Sequence, residues 1–489
     1  MNAQVARRIV LAGLLILHIS GHAFDFGPLL DEFPLTLAPG ERLEALGPFY
    51  YEQQSESQQT RAVPPLFSKT EDPELEYAEF DFLYPLLTYD RFGDQYRLQI
   101  MQLLSFAGGA TQTETNRDRF TLFPVIFLQK SSDTNENYRA VLPFYGHLKR
   151  RFSRDEIFFV AFPLYLDSWK KDVYTRNYLF PFFHVREGDN LSGWQFWPVL
   201  GHQSKSVTYT TNGFGDAVLI GGHDRWFAAW PLYYNQHNEL ETTNAMHAHG
   251  LLPAYAILRS ARRDSTTVLW PFFTKIHDRG KKYREWQGPW PFVAFARGEG
   301  KQLNRVLPFY SHGKTATHEN RSYGWVLWRE NILRLPSVER RRERVLFFLY
   351  SNIAEKNKET GATRKRMDLW PLFTTRQDFN GNRRLQVFAP LEPLLANNKS
   401  IERNYSPLWS AWRSEHNPQT GASSQSLLWN LYRRDVTPDS RKTSLLFGLY
   451  RYVKDAGGKQ VRLFHIPLSG ARGGKAQGER PALEKGNER

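Results

Sequence analysis

The chain has 489 residues, a formal net charge of +14 at pH 7, and an aromatic content of 15%. So many aromatic side chains exclude a disordered chain, because such chains are poor in the residues that build a core. The sequence has no cysteine, which excludes disulfide bonds, thiolate metal sites and a cysteine nucleophile.

Residues 1–23 are typical of a secretory signal peptide. Arg7 and Arg8 precede an apolar run over residues 9–19, and small residues at Gly21 and Ala23 form a cleavage site. The apolar run is shorter than a comfortable transmembrane helix. We therefore expect an exported protein, for which the positive charge favours lipid headgroups, lipopolysaccharide or acidic polysaccharide as partners over nucleic acid.

The next segment, residues 24–76, contains two short apolar stretches built around proline. They are Gly47-Pro48-Phe49-Tyr50 and Pro64-Pro65-Leu66-Phe67, with the polar residues 53–60 between them. The same kind of stretch recurs throughout residues 77–468. We therefore expect residues 24–76 to be a cap, a plug or the first strands of the larger repeat domain.

A motif of large apolar residue, proline, large apolar residue and aromatic residue recurs with a period of about 19 residues. Degenerate copies have Arg329, Phe348, Asn430 or Gly448 in place of the proline. Clear copies begin at Leu142, Phe162, Phe180, Trp230, Trp270, Leu307 and Trp370.

Polar turn residues such as Glu187-Gly188-Asp189-Asn190 separate the copies, and the period leaves no room for a helix. The sequence therefore predicts an all-β antiparallel meander of about 20 or more strands, each of roughly 10 to 14 residues. Proline is unsuited to a strand centre. Either each strand bulges at its proline, or each unit is a hairpin of two short arms with the proline at the corner. We expect the apolar residues around each motif proline to be buried on both faces of the sheet, or to face the protein core on one side and lipid on the other. Trp270→Asp is then expected to be severely destabilising.

The near-equivalence of the strands favours a closed barrel or a curled or bent repeat sheet. The signal peptide and the repeated aromatic strands, from about Tyr77 to Leu468, resemble the outer-membrane β-barrel class in general. That resemblance implies an outer-membrane location and a structural or transport role. The alternative is a soluble periplasmic or surface scaffold that binds polysaccharide, lipid or protein. Residues 469–489 are predicted to be a disordered polar tail.

Three groups of residues are candidate sites. A possible binding loop, where glycines interrupt the period, contains Gly213, Phe214, Gly215, Asp216, His223 and Asp224. His247 and His249 place two imidazoles on one side of an extended segment, although no third metal ligand is evident. An arginine-rich turn before a strand at 345–350 offers anion contacts through Arg340, Arg341, Arg342 and Arg344. No catalytic motif is present, so we expect neither enzyme activity nor a cofactor.

Overall fold

The computed structural model describes residues 31–110, 116–211, 213, 215–464 and 466–468. The predicted signal peptide and polar tail lie outside these residues. Within them, almost all regular structure is β-strand.

The first half of the chain forms short strands joined by tight turns. They are β1 (Asp31–Pro34), β2 (Gly40–Ala45), β3 (Tyr50–Ser55), β4 (Gln58–Val63), β5 (Phe67–Asp72), β6 (Tyr77–Phe82), β7 (Leu87–Phe92), β8 (Gln95–Ile100), β9 (Leu104–Gly108), β10 (Arg117–Leu122), β11 (Ile126–Ser131), β12 (Tyr138–Val141), β13 (Tyr145–Arg151), β14 (Arg154–Val160), β15 (Tyr165–Lys170), β16 (Val173–Tyr178), β17 (Phe183–Gly188), β18 (Leu191–Phe196), β19 (Leu200–Lys205), β20 (Thr208–Thr211), β21 (Ala217–Ile220) and β22 (Gly222–Ala228).

The second half continues the pattern. Its strands are β23 (Tyr233–Leu240), β24 (Met246–Leu251), β25 (Tyr255–Ser260), β26 (Arg263–Val268), β27 (Phe273–Asp278), β28 (Tyr283–Gln287), β29 (Val293–Gly298), β30 (Gln302–Val306), β31 (Tyr310–Lys314), β32 (His318–Tyr323), β33 (Trp328–Arg334), β34 (Val338–Val345), β35 (Tyr350–Asn357), β36 (Thr363–Leu369), β37 (Phe373–Gln377), β38 (Arg383–Val387), β39 (Trp412–His416), β40 (Ser423–Leu427), β41 (Tyr432–Val436), β42 (Arg441–Leu445), β43 (Tyr450–Asp455), β44 (Gly458–Leu463) and β45 (Ile466–Pro467). Two short α-helices, α1 (Lys399–Asn404) and α2 (Ser406–Trp409), and two 3₁₀ turns (Gly47–Phe49 and Thr134–Glu136) complete the described elements.

Forty-three of these strands form one antiparallel sheet in which each strand pairs with its neighbours in the sequence. The exception is the hairpin of β20 and β21, which pair only with each other, so that β19 pairs directly with β22. The prediction of an all-β antiparallel meander is confirmed. The predicted strand length of 10 to 14 residues is wrong, because a typical strand such as β16 has 6 residues. Each repeat therefore contains two strands, as in the hairpin interpretation.

The prolines of the motif lie in the turns, where a missing N–H disrupts no ladder. In the turn from β6 to β7, the Leu86 amide donates to the Leu83 carbonyl at 2.9 Å, and the Tyr84–Pro85 peptide bond is cis. Phe348, Asn430 and Gly448 occupy the same turn position as the proline, as predicted. Arg329 does not, since it lies within β33. The turn before that strand has Val326 at the corresponding place, three residues before Arg329, so the prediction for Arg329 is wrong.

The other ends of the strands are joined by short polar turns. Between β17 and β18, for example, Asp189 and Asn190 both have positive φ (50° and 55°), which suits a two-residue hairpin turn. Because strands run alternately up and down, the proline turns all lie along one edge of the sheet and the polar turns along the other. We call the first the proline-turn edge.

Directly opposite residues in neighbouring strands share a face, so the register assigns every strand residue to one of two faces. Face A contains Ser68 and its partner Asp81, and face B contains Phe67 and its partner Phe82. The main hydrophobic cluster lies on face A and consists of Phe127, Tyr138, Ala140, Leu148 and Phe159. Face A therefore contains the core.

The two ends of the sheet pack against each other through face A. The Arg433 guanidinium lies 3.2 Å from the centre of the Phe33 ring, and Arg451 is 3.4 Å from the Asp31 carboxylate. Among the described residues, the terminal strand β1 pairs with β2 and the terminal strand β45 pairs with β44, and neither pairs with the other. The ends therefore meet face to face.

Helices α1 and α2 replace a proline turn between β38 and β39 and reinforce this contact. Arg403 of α1 forms ion pairs with Glu79 and, at 3.0 Å, with Asp81, while the Asn404 amide donates to Asp81 at 3.0 Å. The Arg403 side chain is only 13% exposed. These buried charges tie the C-terminal part of the chain to β6.

Candidate functional site

The proline-turn edge exposes an unusual number of large apolar side chains. Phe144 and Phe309, at the tips of two turns, are 72% and 73% exposed. Trp270 is 45% exposed, which contradicts the first of the two expected alternatives, burial of the motif on both faces. The second alternative, core on one side and lipid on the other, stays a prediction. The motif residues are exposed because no other element packs over these short turns. Other exposed turn residues include Leu66, Phe123, Leu164, Phe182, Trp197, Leu232, Leu269, Phe292, Trp325, Phe347, Leu372, Trp429 and Leu446.

The strand residues next to these turns extend the apolar surface along face B. Each is directly opposite another apolar residue on the next strand, which gives an unbroken row across the first part of the sheet. The row contains Phe67, Phe82, Leu87, Ile100, Leu104, Leu122, Ile126, Val141, Tyr145, Val160, Tyr165, Tyr178, Phe183, Phe196 and Leu200. It continues in the second part of the sheet, for instance at Val306, Tyr310, Tyr323, Trp328, Val345 and Tyr350.

Farther from the edge, face B becomes progressively more polar. The next row mixes aromatic rings with polar groups and includes His147, Phe158, Trp194, His202, Trp226 and Asn235. The row beyond it is mostly polar or charged and includes Lys149, Glu156, Ser192, Ser204, Asp224 and His237. Polarity therefore changes along each strand, from apolar at the proline turns to charged near the polar turns.

The backbone of the proline-turn edge is hydrogen-bonded from one turn to the next. The Leu179 amide donates to the Leu164 carbonyl at 2.7 Å, and the Phe180 amide donates to the Pro163 carbonyl at 2.7 Å. The carbonyls of Pro143, Pro163, Pro198, Pro253 and Pro371 accept such bonds, although proline donates none. An unpaired backbone group in an apolar medium costs several kcal/mol, so each of these bonds lowers the cost of moving the edge out of water.

The structure does not gather the predicted binding loop into one site. Gly213 and Gly215 are exposed in the β20–β21 hairpin, and a Cβ added at either would meet nothing within 4 Å. Asp216 is exposed in the same hairpin, whereas Phe214 lies outside the described residues. Gly213 and Gly215 therefore face open space in the described part of this loop.

His223 and Asp224 are consecutive residues of β22 and point to opposite faces. Asp224 accepts a hydrogen bond from His202, with Nε2 and Oδ1 separated by 2.6 Å. His223 instead contacts the Gln203 amide, and burial together with Arg225 and Lys205 lowers its pKa to about 4. The acid–base pair present is thus His202 with Asp224, a pairing that depends on strand register and carries no local sequence signal.

His247 and His249 share face B of β24, and their ring centres are 4.8 Å apart. The structure adds a third imidazole, because His237 lies opposite His247 and stacks on it at 4.3 Å with an angle of 4° between the rings. Imidazole lone pairs lie in the ring plane, so stacked rings do not converge on one ion. Accordingly, no group of three or more His, Asp or Glu among the described residues is arranged to hold a metal.

The arginine cluster lies within strand β34 and not in a turn, which corrects the sequence interpretation. Arg341 points to face B and forms an ion pair with Glu330 at 2.6 Å. Arg340, Arg342 and Arg344 point to face A, where Arg344 is directly opposite Arg329 of β33. Within the described ranges, the side chains of these face-A arginines form no hydrogen bond and no ion pair. Burial, followed by the charges of Arg344 and Arg340, lowers the pKa of Arg342.

No protein-family model matches the chain, and no curated protein is significantly similar to it. In the part of the chain that the structure describes, no helix is long and apolar enough to cross a membrane.

Proposed function

We propose that this chain is an exported protein of the cell envelope that stands on a membrane surface, with its proline-turn edge inserted into the lipid interface. In this role it acts as a structural scaffold on the membrane. The observation that carries the proposal is the apolar surface formed by the exposed residues of the proline turns together with the half-buried to exposed apolar row beside them. Monomeric soluble proteins rarely expose so extended an apolar surface.

The polarity gradient of face B suits an edge-on orientation. The turn and the first row of face B extend over about two or three residues, or roughly 7–10 Å at 3.3 Å per residue. Interfacial segments typically bury about 5–10 Å into the boundary between headgroups and acyl chains. The second row, with its Trp and His side chains, then lies at headgroup level, where amphipathic rings are favoured.

The short strands favour insertion of the edge over a barrel that spans the bilayer. A strand of 6 residues such as β16 is about 20 Å long, whereas a membrane-spanning strand needs about 9–11 residues. Charged residues in the third row of face B would also lie in hydrocarbon if the strands crossed it. We therefore propose a curled sheet whose ends pack face to face, in place of a barrel closed by strand pairing.

The arginines of β33 and β34 are placed to contact lipid phosphates. Arg329 is adjacent to Trp328 of the apolar row and Arg344 is adjacent to Val345, so both arginines lie about one residue farther from the acyl chains. Arginine binds phosphate through two parallel N–H donors, and basic residues near the surface of an anionic membrane contribute about 1 kcal/mol each. We expect these side chains to favour anionic lipids.

Quenching of tryptophan fluorescence by lipids with brominated acyl chains tests the orientation. Trp270 lies in a proline turn and is 45% exposed, and Trp169 lies near the polar turns and is 47% exposed. We expect vesicles of neutral brominated phosphatidylcholine to quench the wild-type protein. Trp270→Phe is expected to remove part of the fluorescence that the brominated lipid quenches. Trp169→Phe is expected to remove only fluorescence that the lipid does not quench.

Two results would count against the proposal. Loss of equal quenched fractions in the two variants would mean that the proline-turn edge is not the inserted part. A protein that stays monodisperse without detergent and neither floats with the vesicles nor is quenched by them would favour the soluble scaffold.

A further inference from the structure

A cavity of about 240 Å³ lies between the two ends of the sheet, on face A. It forms where the repeat is interrupted, because Pro407 and Ser410 of the helical segment and the loop after β1 contribute to its wall. One water needs only about 10–15 Å³ of such space, so the cavity accommodates a larger polar group. Its charged lining consists of Arg42, Glu44, Arg384, Arg413, Glu415 and Arg433.

The carboxylates at the cavity neutralise some of these arginines. Arg42 is 2.7 Å from Glu44, and Arg384 is 3.5 Å from Glu415. Outside the lining, Asp435 forms an ion pair with Arg433 at 2.8 Å. Arg413 is the remaining arginine of the lining, and none of these three carboxylates forms an ion pair with it.

Arg413 forms no ion pair with a carboxylate among the described residues, although Glu44 and Glu415 are near enough to attract its charge. Its Nε donates to the Ser410 hydroxyl at 3.1 Å, and its buried Nη2 has no hydrogen-bond partner. Burial, together with Arg384 and Arg42, lowers the Arg413 pKa to about 10. A buried cation that is not paired with a counter-ion is unfavourable, so the site favours one further negative charge beside Arg413.

We propose that this cavity binds a phosphate group, with the Arg413 guanidinium as its principal ligand. The hydroxyls of Ser424 and Ser426 also line the cavity and supply further donors. A tetrahedral oxyanion matches donors that approach from several directions and the paired N–H groups of arginine. The phosphate is either a free ion or part of a lipid or saccharide headgroup.

This site goes beyond the membrane role proposed above, because it lies between the sheet ends and needs no bilayer. A bound phosphate would bridge β2 and β3 to β39, β40 and β41. Ligand binding would then stabilise the contact between the two ends of the chain.

Isothermal titration of the mature chain, in buffer without membranes or other oxyanions, tests the inference. We expect saturable binding of inorganic phosphate or, for a headgroup ligand, of the water-soluble lipid dihexanoyl phosphatidic acid. Binding of the lipid alone would identify the headgroup as the source, and binding of both would identify a free phosphate site. Arg413→Gln is expected to weaken the binding at least tenfold. Arg413→Lys keeps the positive charge but cannot donate two parallel N–H bonds to one phosphate, so it is expected to weaken phosphate binding to a smaller extent.

Arg341→Gln is the matched control, because Arg341 belongs to another strand and lies on face B. We expect this variant to bind phosphate as the wild type does. A second readout guards against misfolding of the variants. Phosphate should raise the unfolding midpoint of the wild type but not that of Arg413→Gln, which in phosphate-free buffer should be at least as stable as the wild type. No binding of either ligand, or equal binding by wild type and Arg413→Gln, would overturn the inference.

Discussion

Replacing the two most exposed turn phenylalanines by aspartate should weaken membrane binding without unfolding the protein. Phe144 and Phe309 are 72% and 73% exposed, so lipid insertion would bury most of each ring. Complete burial of a phenylalanine contributes about 1.5–3 kcal/mol, which gives about 1–2 kcal/mol for each. The two together are then worth about 2–4 kcal/mol, or roughly 30- to 700-fold in the partition constant. The charge of aspartate adds to this loss.

Partitioning is measured by flotation of the Phe144→Asp/Phe309→Asp variant with neutral phosphatidylcholine vesicles over a range of lipid concentrations. Tyr209→Asp is the matched control, because Tyr209 is 74% exposed but lies in the separate β20–β21 hairpin. We expect the control to bind as the wild type does, and all three proteins to have similar unfolding midpoints. A loss of less than about threefold in the double variant would refute insertion of these turns, since it corresponds to less than about 0.7 kcal/mol.

Three further predictions concern charged residues. Arg403→Gln leaves the buried carboxylates of β6 without their cation. Denaturant unfolding should then show that the free energy of unfolding falls by about 3–5 kcal/mol. A fall of less than about 1 kcal/mol would contradict a stabilising role of these buried ion pairs. Burial raises the pKa of Glu319, but hydrogen bonds from neighbouring side chains outweigh it and hold the pKa at about 2, below its ordinary value of 4.5. The ionised carboxylate therefore stabilises the folded protein above pH 4.5, and this stabilisation should be lost as the pH falls from 4.5 toward 2. Glu319→Gln should reduce this pH dependence of the free energy of unfolding. Arg329→Gln/Arg344→Gln should lower the preference for phosphatidylglycerol over phosphatidylcholine vesicles about tenfold or more, and an equal effect of Arg341→Gln would argue against specific phosphate contacts.

The sequence predicts the class of the fold well, because alternation, turn residues and a regular period are local properties. It does not place the prolines, since a strand with a central proline and a hairpin with a corner proline have the same period of about 19 residues. That ambiguity led to the expectation that Trp270 is buried. In the turn it is 45% exposed, so we now expect Trp270→Asp to change the unfolding free energy little.

The candidate sites depend on contacts that a linear pattern does not contain. The partner of Asp224 is His202, 22 positions away, because β19 pairs with β22 across the intervening hairpin. The cavity around Arg413 needs the face-to-face packing of strands from opposite ends of the chain. The apolar row is visible in the sequence as residues that flank each motif, but its exposure follows only from the single-layer geometry of the edge.

The absence of cysteine from the sequence allows the most direct test of edge insertion. Single spin labels would be attached at Phe309→Cys, on the proline-turn edge, and at Asp189→Cys, on the opposite edge. Power saturation with vesicle-bound protein then compares oxygen, which concentrates in lipid, with a water-soluble nickel complex. We predict that oxygen relaxes the label at position 309 more strongly and that the nickel complex relaxes the label at position 189. Equal access of the nickel complex to both labels would contradict the edge-on orientation.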